Sequence, residues 1–356
     1  MADPTFGQIR DAPGFKILVD GGDLSTEALV DVLDVRVSDY VDGPSVFTIT
    51  MNNWHSDQQE FKWVDDDQFR LGTEIEVRMG FGDDMVSLIV GEVTALEPDF
   101  PDNEAPTLKV QGYDRLHRLR RGRKTRSFVD VKDSDIAAQI ASDLGLLDQV
   151  DDSEVTYTYV LQDNQSDVDF LLERARRINF EVVVQGDTLY FRRVANDQSE
   201  VITLTYGMTL RSFYPRMTVV GQTNEVTVRG WDPMNKEAVV GTARVGDETS
   251  TMGGNDLGAS LAEQAFGEAV ETIVQDPVTS EGEAVKVARG RFNRIVNRFV
   301  TGEGLAVGDG HIRAGSVIKL EGLGERFSGL YYVTSSTHQV SQAGYTTRFT
   351  VSRSAI

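Results

Sequence analysis

The chain has 356 residues, 56 of them acidic against 35 basic, a formal net charge of −21 and no cysteine. That length carries two or three hydrophobic cores, since single domains run roughly 100 to 200 residues. The acidic balance argues against a body-wide nucleic-acid surface, because like charge repels a phosphate backbone. The lack of cysteine excludes disulfides and thiolate metal sites.

A hydrophobic fraction of 40% beside 26% charged residues belongs to a chain that folds. No run of about 18 apolar residues is present. Met1 to Asp11 lacks the basic-then-apolar pattern of a secretory signal. The expectation is synthesis and assembly in the cytoplasm, with no membrane insertion by this chain.

In chain order, residues 15–19, 32–38, 46–51, 74–79, 88–95 and 107–112 alternate with period two between Gly, Asp, Asn and Pro breaks, the pattern of a barrel or sandwich. Around residue 132 the period changes. Asp133-Ser134-Asp135 runs into Ile136, Ile140 and Leu144 and stops at Gly145, a capped helix. A second helix is expected over 166–178, with Val168, Leu171, Leu172 and Ala175 on its apolar face. A hairpin follows, 180–184 and 188–193 about Gln185-Gly186-Asp187.

Strand patterns return at 201–206, 217–220, 225–229, 238–244, 317–321, 330–336 and 346–352, interrupted by a helix-like stretch from 257 to 300. The organisation expected is three units. Residues 1–115 form a first β-barrel, 116–195 an α+β domain, and 196–356 a second barrel with a helical insertion at about 250–300.

The two β units resemble each other. Arg70-Leu71-Gly72-Thr73-Glu74-Ile75-Glu76-Val77 is matched 243 positions on by Arg313-Ala314-Gly315-Ser316-Val317-Ile318-Lys319-Leu320. Gly80-Phe81-Gly82 is answered by Gly322-Leu323-Gly324, Gly91-Glu92-Val93-Thr94-Ala95 by Leu330-Tyr331-Tyr332-Val333-Thr334-Ser335, and Thr107 to Val110 by Arg348 to Val351. Upstream, Phe47-Thr48-Ile49 and Trp54 are paired with Val226-Thr227-Val228 and Trp231. Ordered blocks at a nearly fixed offset predict a duplicated unit. Two such barrels in each of three chains supply the six positions of a ring.

Specific stretches then resemble a known family: Val110-Gln111-Gly112-Tyr113-Asp114-Arg115-Leu116, Asp133-Ser134-Asp135-Ile136-Ala137, Asn164-Gln165-Ser166-Asp167-Val168-Asp169-Phe170-Leu171, Gly186-Asp187-Thr188-Leu189-Tyr190-Phe191, Arg313-Ala314-Gly315, Phe327 to Val333, His338 and Gly344-Tyr345. Together they resemble the late control D family of phage tail hubs, whose fold is shared by the N-terminal region of VgrG spike proteins. The resemblance covers nearly the whole chain. It implies a mainly β fold with α+β, two duplicated tube-like barrels, an intervening α+β domain and a helical insertion. It also implies a homotrimer that joins a hexameric tail tube protein to a trimeric spike protein, beside baseplate wedge or sheath-associated proteins, in a virion or injection particle. VgrG proteins continue beyond this region, whereas this chain stops at Arg353-Ser354-Ala355-Ile356, so the resemblance implies a spike on a separate polypeptide or one trimmed away.

Arg115, Arg118, Arg120, Arg121, Arg123, Lys124 and Arg126 place seven positive charges in twelve residues of an acidic chain. They are read as an interface between subunits or with the tube or baseplate, with a solvated linker and a nucleic-acid patch as the alternatives. His55, His117, His311 and His338 are scattered and lack metal-ligand spacing. Asp65-Asp66-Asp67 and the acidic run from Asp148 to Asp152 lack calcium-loop spacing and read as solvated turns. The run from Gly302 to Gly310 lacks a phosphate-loop ending and reads as a loop before the strand at Ser316. No catalytic triad or cofactor motif is legible. The expectation is therefore a structural, non-enzymatic hub without cofactor, the alternative being a tail-tip protein that hydrolyses peptidoglycan.

Overall fold

A computed structural model describes residues 12–275 and 277–356; Met1 to Asp11, read above for a secretory signal, lie outside the described residues. The chain is mainly β, with 49% strand and 19% helix in several sheets.

The first region contains β1 (Pro13–Val19), β2 (Gly22–Asp23), α1 (Thr26–Asp31), β3 (Val32–Tyr40), β4 (Gly43–Asn52), the short pair β5 (Trp54–His55) and β6 (Glu60–Phe61), β7 (Glu74–Phe81), β8 (Asp84–Asp99) and β9 (Thr107–Asp114). The middle region contains β10 (Lys124–Lys132), α2 (Asp133–Asp143), β11 (Leu147–Val150), β12 (Thr156–Gln165), α3 (Asp167–Arg177), β13 (Phe180–Gln185) and β14 (Thr188–Arg193). The last region contains β15 (Thr203–Thr205), β16 (Leu210–Met217), β17 (Glu225–Asp232), β18 (Glu237–Arg244), α4 (Gly258–Phe266), β19 (Val270–Ile273), α5 (Glu281–Val296), β20 (Val300–Val307), β21 (Val317–Glu321), α6 (Gly324–Phe327), β22 (Gly329–Ser341) and β23 (Gly344–Arg353).

Both ends of the chain share one thirteen-stranded sheet, ordered β16-β20-β23-β22-β3-β4-β9-β8-β7-β1-β2, with β21 on β22 and β15 on β21. The ladder therefore runs from one β region into the other at β22 and β3. The order β3-β4-β9-β8-β7-β1 in the first half recurs as β16-β20-β23-β22-β21-β15 in the second. The halves differ at the end of the series, where β1 is antiparallel to β7 and β15 is parallel to β21.

Register carries the likeness further. Val93 opposes Gly112 and Ala95 opposes Gln111 around a bulge at Thr94; Val333 opposes Val351 and Ser335 opposes Thr350 around a bulge at Thr334. A bulge re-aims a strand, and it does so at the same rung of both long strands. These ladders align Thr107 with Thr346, two residues from the alignment read off the sequence.

Two expectations are corrected. The strands at 225–229 and 238–244, assigned to the second β unit, form with β19 a separate three-stranded sheet packed on α5. Val226, Val228, Ala243, Ala284, Val287 and Phe292 make its core. Phe47 to Ile49 thus has no counterpart at Val226 to Val228; the strand in the place of β4 is β20. Gly302 to Val307, read as loop, is most of β20. Its glycines make room for rings. A Cβ on Gly304 would lie 2.2 Å from the Phe349 ring, and one on Gly302 would lie 2.7 Å from that of Phe213.

The middle region keeps a core of its own, from Leu116 to Phe191. Ser166 caps α3 by accepting from the Asp169 N–H, and Phe170, Leu171 and Ala175 are buried beneath it.

Candidate assembly interface

The repeated octet builds the same turn twice. Gly72 and Gly315 take left-handed φ of 92° and 83°, where glycine avoids a Cβ penalty. Gly72 N–H donates to Val93 C=O at 2.8 Å and Val93 N–H to Thr73 C=O at 2.9 Å. Gly315 N–H donates to Val333 C=O and Val333 N–H to Ser316 C=O, both at 2.9 Å.

Arg313, on the second of these turns, reaches across the β22–β3 seam. Its Nε donates to Asp39 Oδ2 at 2.7 Å and its Nη2 to the Leu88 carbonyl at 2.7 Å, while Ala314 N–H donates to Asp39 Oδ2 at 3.1 Å. Ser336 Oγ donates to the other Asp39 oxygen in a short contact. Further along, Ser38 and Thr337 hydroxyls meet at 2.9 Å and the Gln339 amide donates to Asp34. The seam is thus polar and satisfied, as burial requires.

His338 lies fully buried in it. Nδ1 lies 2.9 Å from the Tyr345 hydroxyl and Nε2 lies 3.0 Å from Ile312 C=O. Burial pushes the imidazole down to about 4, so it is neutral near pH 7. Ser336, His338 and Asp39 are neighbours without forming a nucleophile relay. Asp39 holds Ser336 instead of orienting the imidazole, and all three are nearly sealed from solvent, at 1%, 0% and 5% exposure. The trio clamps two halves together.

The basic cluster begins where β9 ends. Asp114 accepts from Ser45 N–H at 2.7 Å and Leu116 N–H at 3.0 Å, starting the short 3-10 turn Arg115–Arg120. Burial raises its carboxyl to about 7 against those two donors. Arg115 pairs with Glu74 at 2.7 Å and with Asp187; Arg118 grips Glu92 with two nitrogens. Arg123 donates to Asn164 C=O, and Lys124 and Arg126 share Asp167 at 2.7 and 2.8 Å. Arg126 also reaches Asp143 at 2.9 Å. Five of the seven cations are therefore engaged within the chain. Arg120 and Arg121 are exposed and have no ion pair among the described residues.

Asp39, Ser336 and Tyr345 gave no signal of their own as seam partners. Arg313 did, through the repeat. Among the described residues no three His, Cys, Asp or Glu side chains gather as a metal site, and no helix is long and apolar enough to cross a membrane.

The architecture is that of tail proteins. The family model described as Alg8 N-terminal domain matches residues 10–342, and the chain belongs to that family. That match does not confirm the late control D family that the motifs resemble. No curated protein matches the sequence. Among solved structures the chain is similar to a 43 kDa tail protein of prophage MuSo2 from Shewanella oneidensis, at 13% identity and TM-score 0.70, over 96% of this chain and 98% of that one. A tail protein from Neisseria meningitidis is similar at 11% identity and TM-score 0.68, over 96% and 97%. An Escherichia coli component of the type VI secretion system, described as similar to T4 bacteriophage tail proteins, matches at 12% identity and TM-score 0.61 over 96% and 77%. At such identities the likeness is one of fold.

Proposed function

We propose that the chain is a structural, non-enzymatic hub of a phage tail or contractile injection baseplate, a homotrimer whose six β units join a hexameric tail tube to a trimeric spike in an assembled particle. The observation that carries this reading is the recurrence of one strand order and one bulge in two halves of a single sheet, in a fold otherwise met in tail proteins. Residues 1–115, 116–195 and 196–356 are read as the three units, the first and last being the duplicated tube-like barrels. The insertion in the last starts earlier than 250, at β17. The resemblance of the motifs to late control D proteins supports the same role.

Within it, Arg120 and Arg121 are the members of the basic cluster available to wedge, tube or sheath partners. Of the other five, Arg115 and Arg118 bind Glu74 and Glu92 of the first unit, while Arg123, Lys124 and Arg126 bind within the middle unit.

Cryo-EM of assembled particles tests the reading. Three copies about the tail axis, between tube and spike, are expected. A single copy per particle, or a place off the axis, would falsify it.

A further inference from the structure

Two of the open sheet edges among the described residues are the two complementary sides of one junction. The outer edge of β8 beyond the Thr94 bulge has no partner strand among the described residues, and neither has the outer edge of β16. In the second half the equivalent of the β8 edge is the outer edge of β22, and that edge is occupied by β3. β3 in turn holds in the first half the place that β16 holds in the second: Val32 and Asp34 flank a bulge against β4, and Leu210 and Ser212 flank one against β20. The chain therefore contains one completed copy of a junction and both separated halves of another.

We infer that β8 of one subunit packs edge to edge against β16 of a second copy, repeating between chains the β22–β3 junction that exists within each. The inference rests on the hub reading and names its subunit contact. Register follows from the ladders. Thr94 corresponds to Thr334 through the shared bulge, and Val35 to Phe213 through their neighbours on β4 and β20. Carrying the Thr337–Ser38 rung across sets Glu97 opposite Arg216. It also sets Leu96 opposite Met217 and Asp99 opposite Tyr214.

The side chains suit these places. At the intrachain rung two hydroxyls meet at 2.9 Å; at the open rung the partners carry opposite charge, which favours a cross-strand pair. Arg216 has no ion pair among the described residues, while Glu97 holds Lys109 at an exposed site. Tyr214 is 73% exposed and Met217 36% exposed, an apolar pair of side chains left in solvent by one copy. Among the described residues the Arg70 side chain, the counterpart of Arg313, pairs with Asp67 alone, at 3.9 Å, and is otherwise exposed. Pro98 and Pro215 fall opposite each other at the next rung. Proline has no N–H to give a ladder, so the contact there is made by side chains.

The chain has no cysteine, which makes disulfide trapping clean. Full-length protein carrying Glu97→Cys and Arg216→Cys together is oxidised, its solution mass taken by mass photometry, and its covalent state read on a non-reducing gel. Ser38→Cys with Thr337→Cys is the control, closing the equivalent rung inside one chain. The expected result is a three-chain mass that becomes a covalent trimer, with neither single variant reaching it. In addition, E97R or R216E alone weakens assembly about tenfold and the double exchange restores it. A three-chain mass with no covalent species, while the control closes, overturns this junction and leaves the hub reading standing. A one-chain mass overturns both.

Discussion

Arg313 binds Asp39 through Nε at 2.7 Å across 274 residues of sequence, and the same guanidinium reaches the Leu88 carbonyl of β8. One side chain thus ties the second half of the sheet to two strands of the first. Asp39 is 5% exposed. Losing one partner leaves a buried charge unpaired, at a cost of roughly 3–5 kcal/mol. Urea unfolding of R313A is expected to show a loss of that order. R313A with D39A is expected to be less damaging than the sum of the two single changes.

His338 makes acid stability a readout of the seam. Its neutral form is held among Tyr345, Thr347, Ser336 and the Ile312 carbonyl, with the charges of Asp39, Asp309 and Arg313 nearby. The folded pKa, about 4, lies below the ordinary histidine value of 6.5. The unfolded chain therefore binds the extra proton first as pH falls. This contribution is full above pH 6.5 and declines toward pH 4, by about 3 kcal/mol in all. Urea midpoints from pH 7 to pH 4 should show the decline in the natural chain and a shallower one in H338Q.

Gly304 is a packing requirement. An alanine Cβ there would overlap the Phe349 ring, and overpacking of this kind costs about 1–3 kcal/mol. G304A should lower the thermal midpoint, and F349L in the same chain should recover part of the loss. Equal losses in G304A and in G304A with F349L would remove the explanation.

The basic cluster divides by partner. R126A leaves the nearly buried Asp167 with Lys124 alone among its cations, and hydrogen bonds to charged groups contribute about 1.5–3 kcal/mol. R121A touches no partner, and its effect on folding stability is expected within about 0.5 kcal/mol. Parallel denaturation curves check the contrast.

Much of the β organisation is legible because alternation and breaks are local signals. The octets at Arg70 and Arg313 betrayed the likeness of the halves, since both make a turn that requires glycine at one position. The rest of the likeness is hidden by compensation between facing strands. Phe47 on β4 lies over Gly112 on β9, whereas Gly304 on β20 lies under Phe349 on β23. The ring has moved to the other strand and by two rungs, so the residues no longer align although the ladder does. For the same reason Gly302 to Val307 looked like loop. Its partners lie 39 and more residues away in β23 and, on the other side, in β16. The seam was illegible too, because Asp39, Ser336 and His338 are ordinary strand residues until a non-local pairing brings them together.

The prolines on the two open edges bear on the life of a single copy before it meets another. Exposed strand edges are where chains join indiscriminately into fibres. Pro98, second-last in β8, and Pro215, third-last in β16, interrupt both edges. A newly made subunit is thereby a poor template for stray strands, yet it keeps the side chains that recognise its own kind. The same two residues that weaken the junction in hydrogen bonds would let the protein accumulate in a crowded cell until enough copies are present to close a ring.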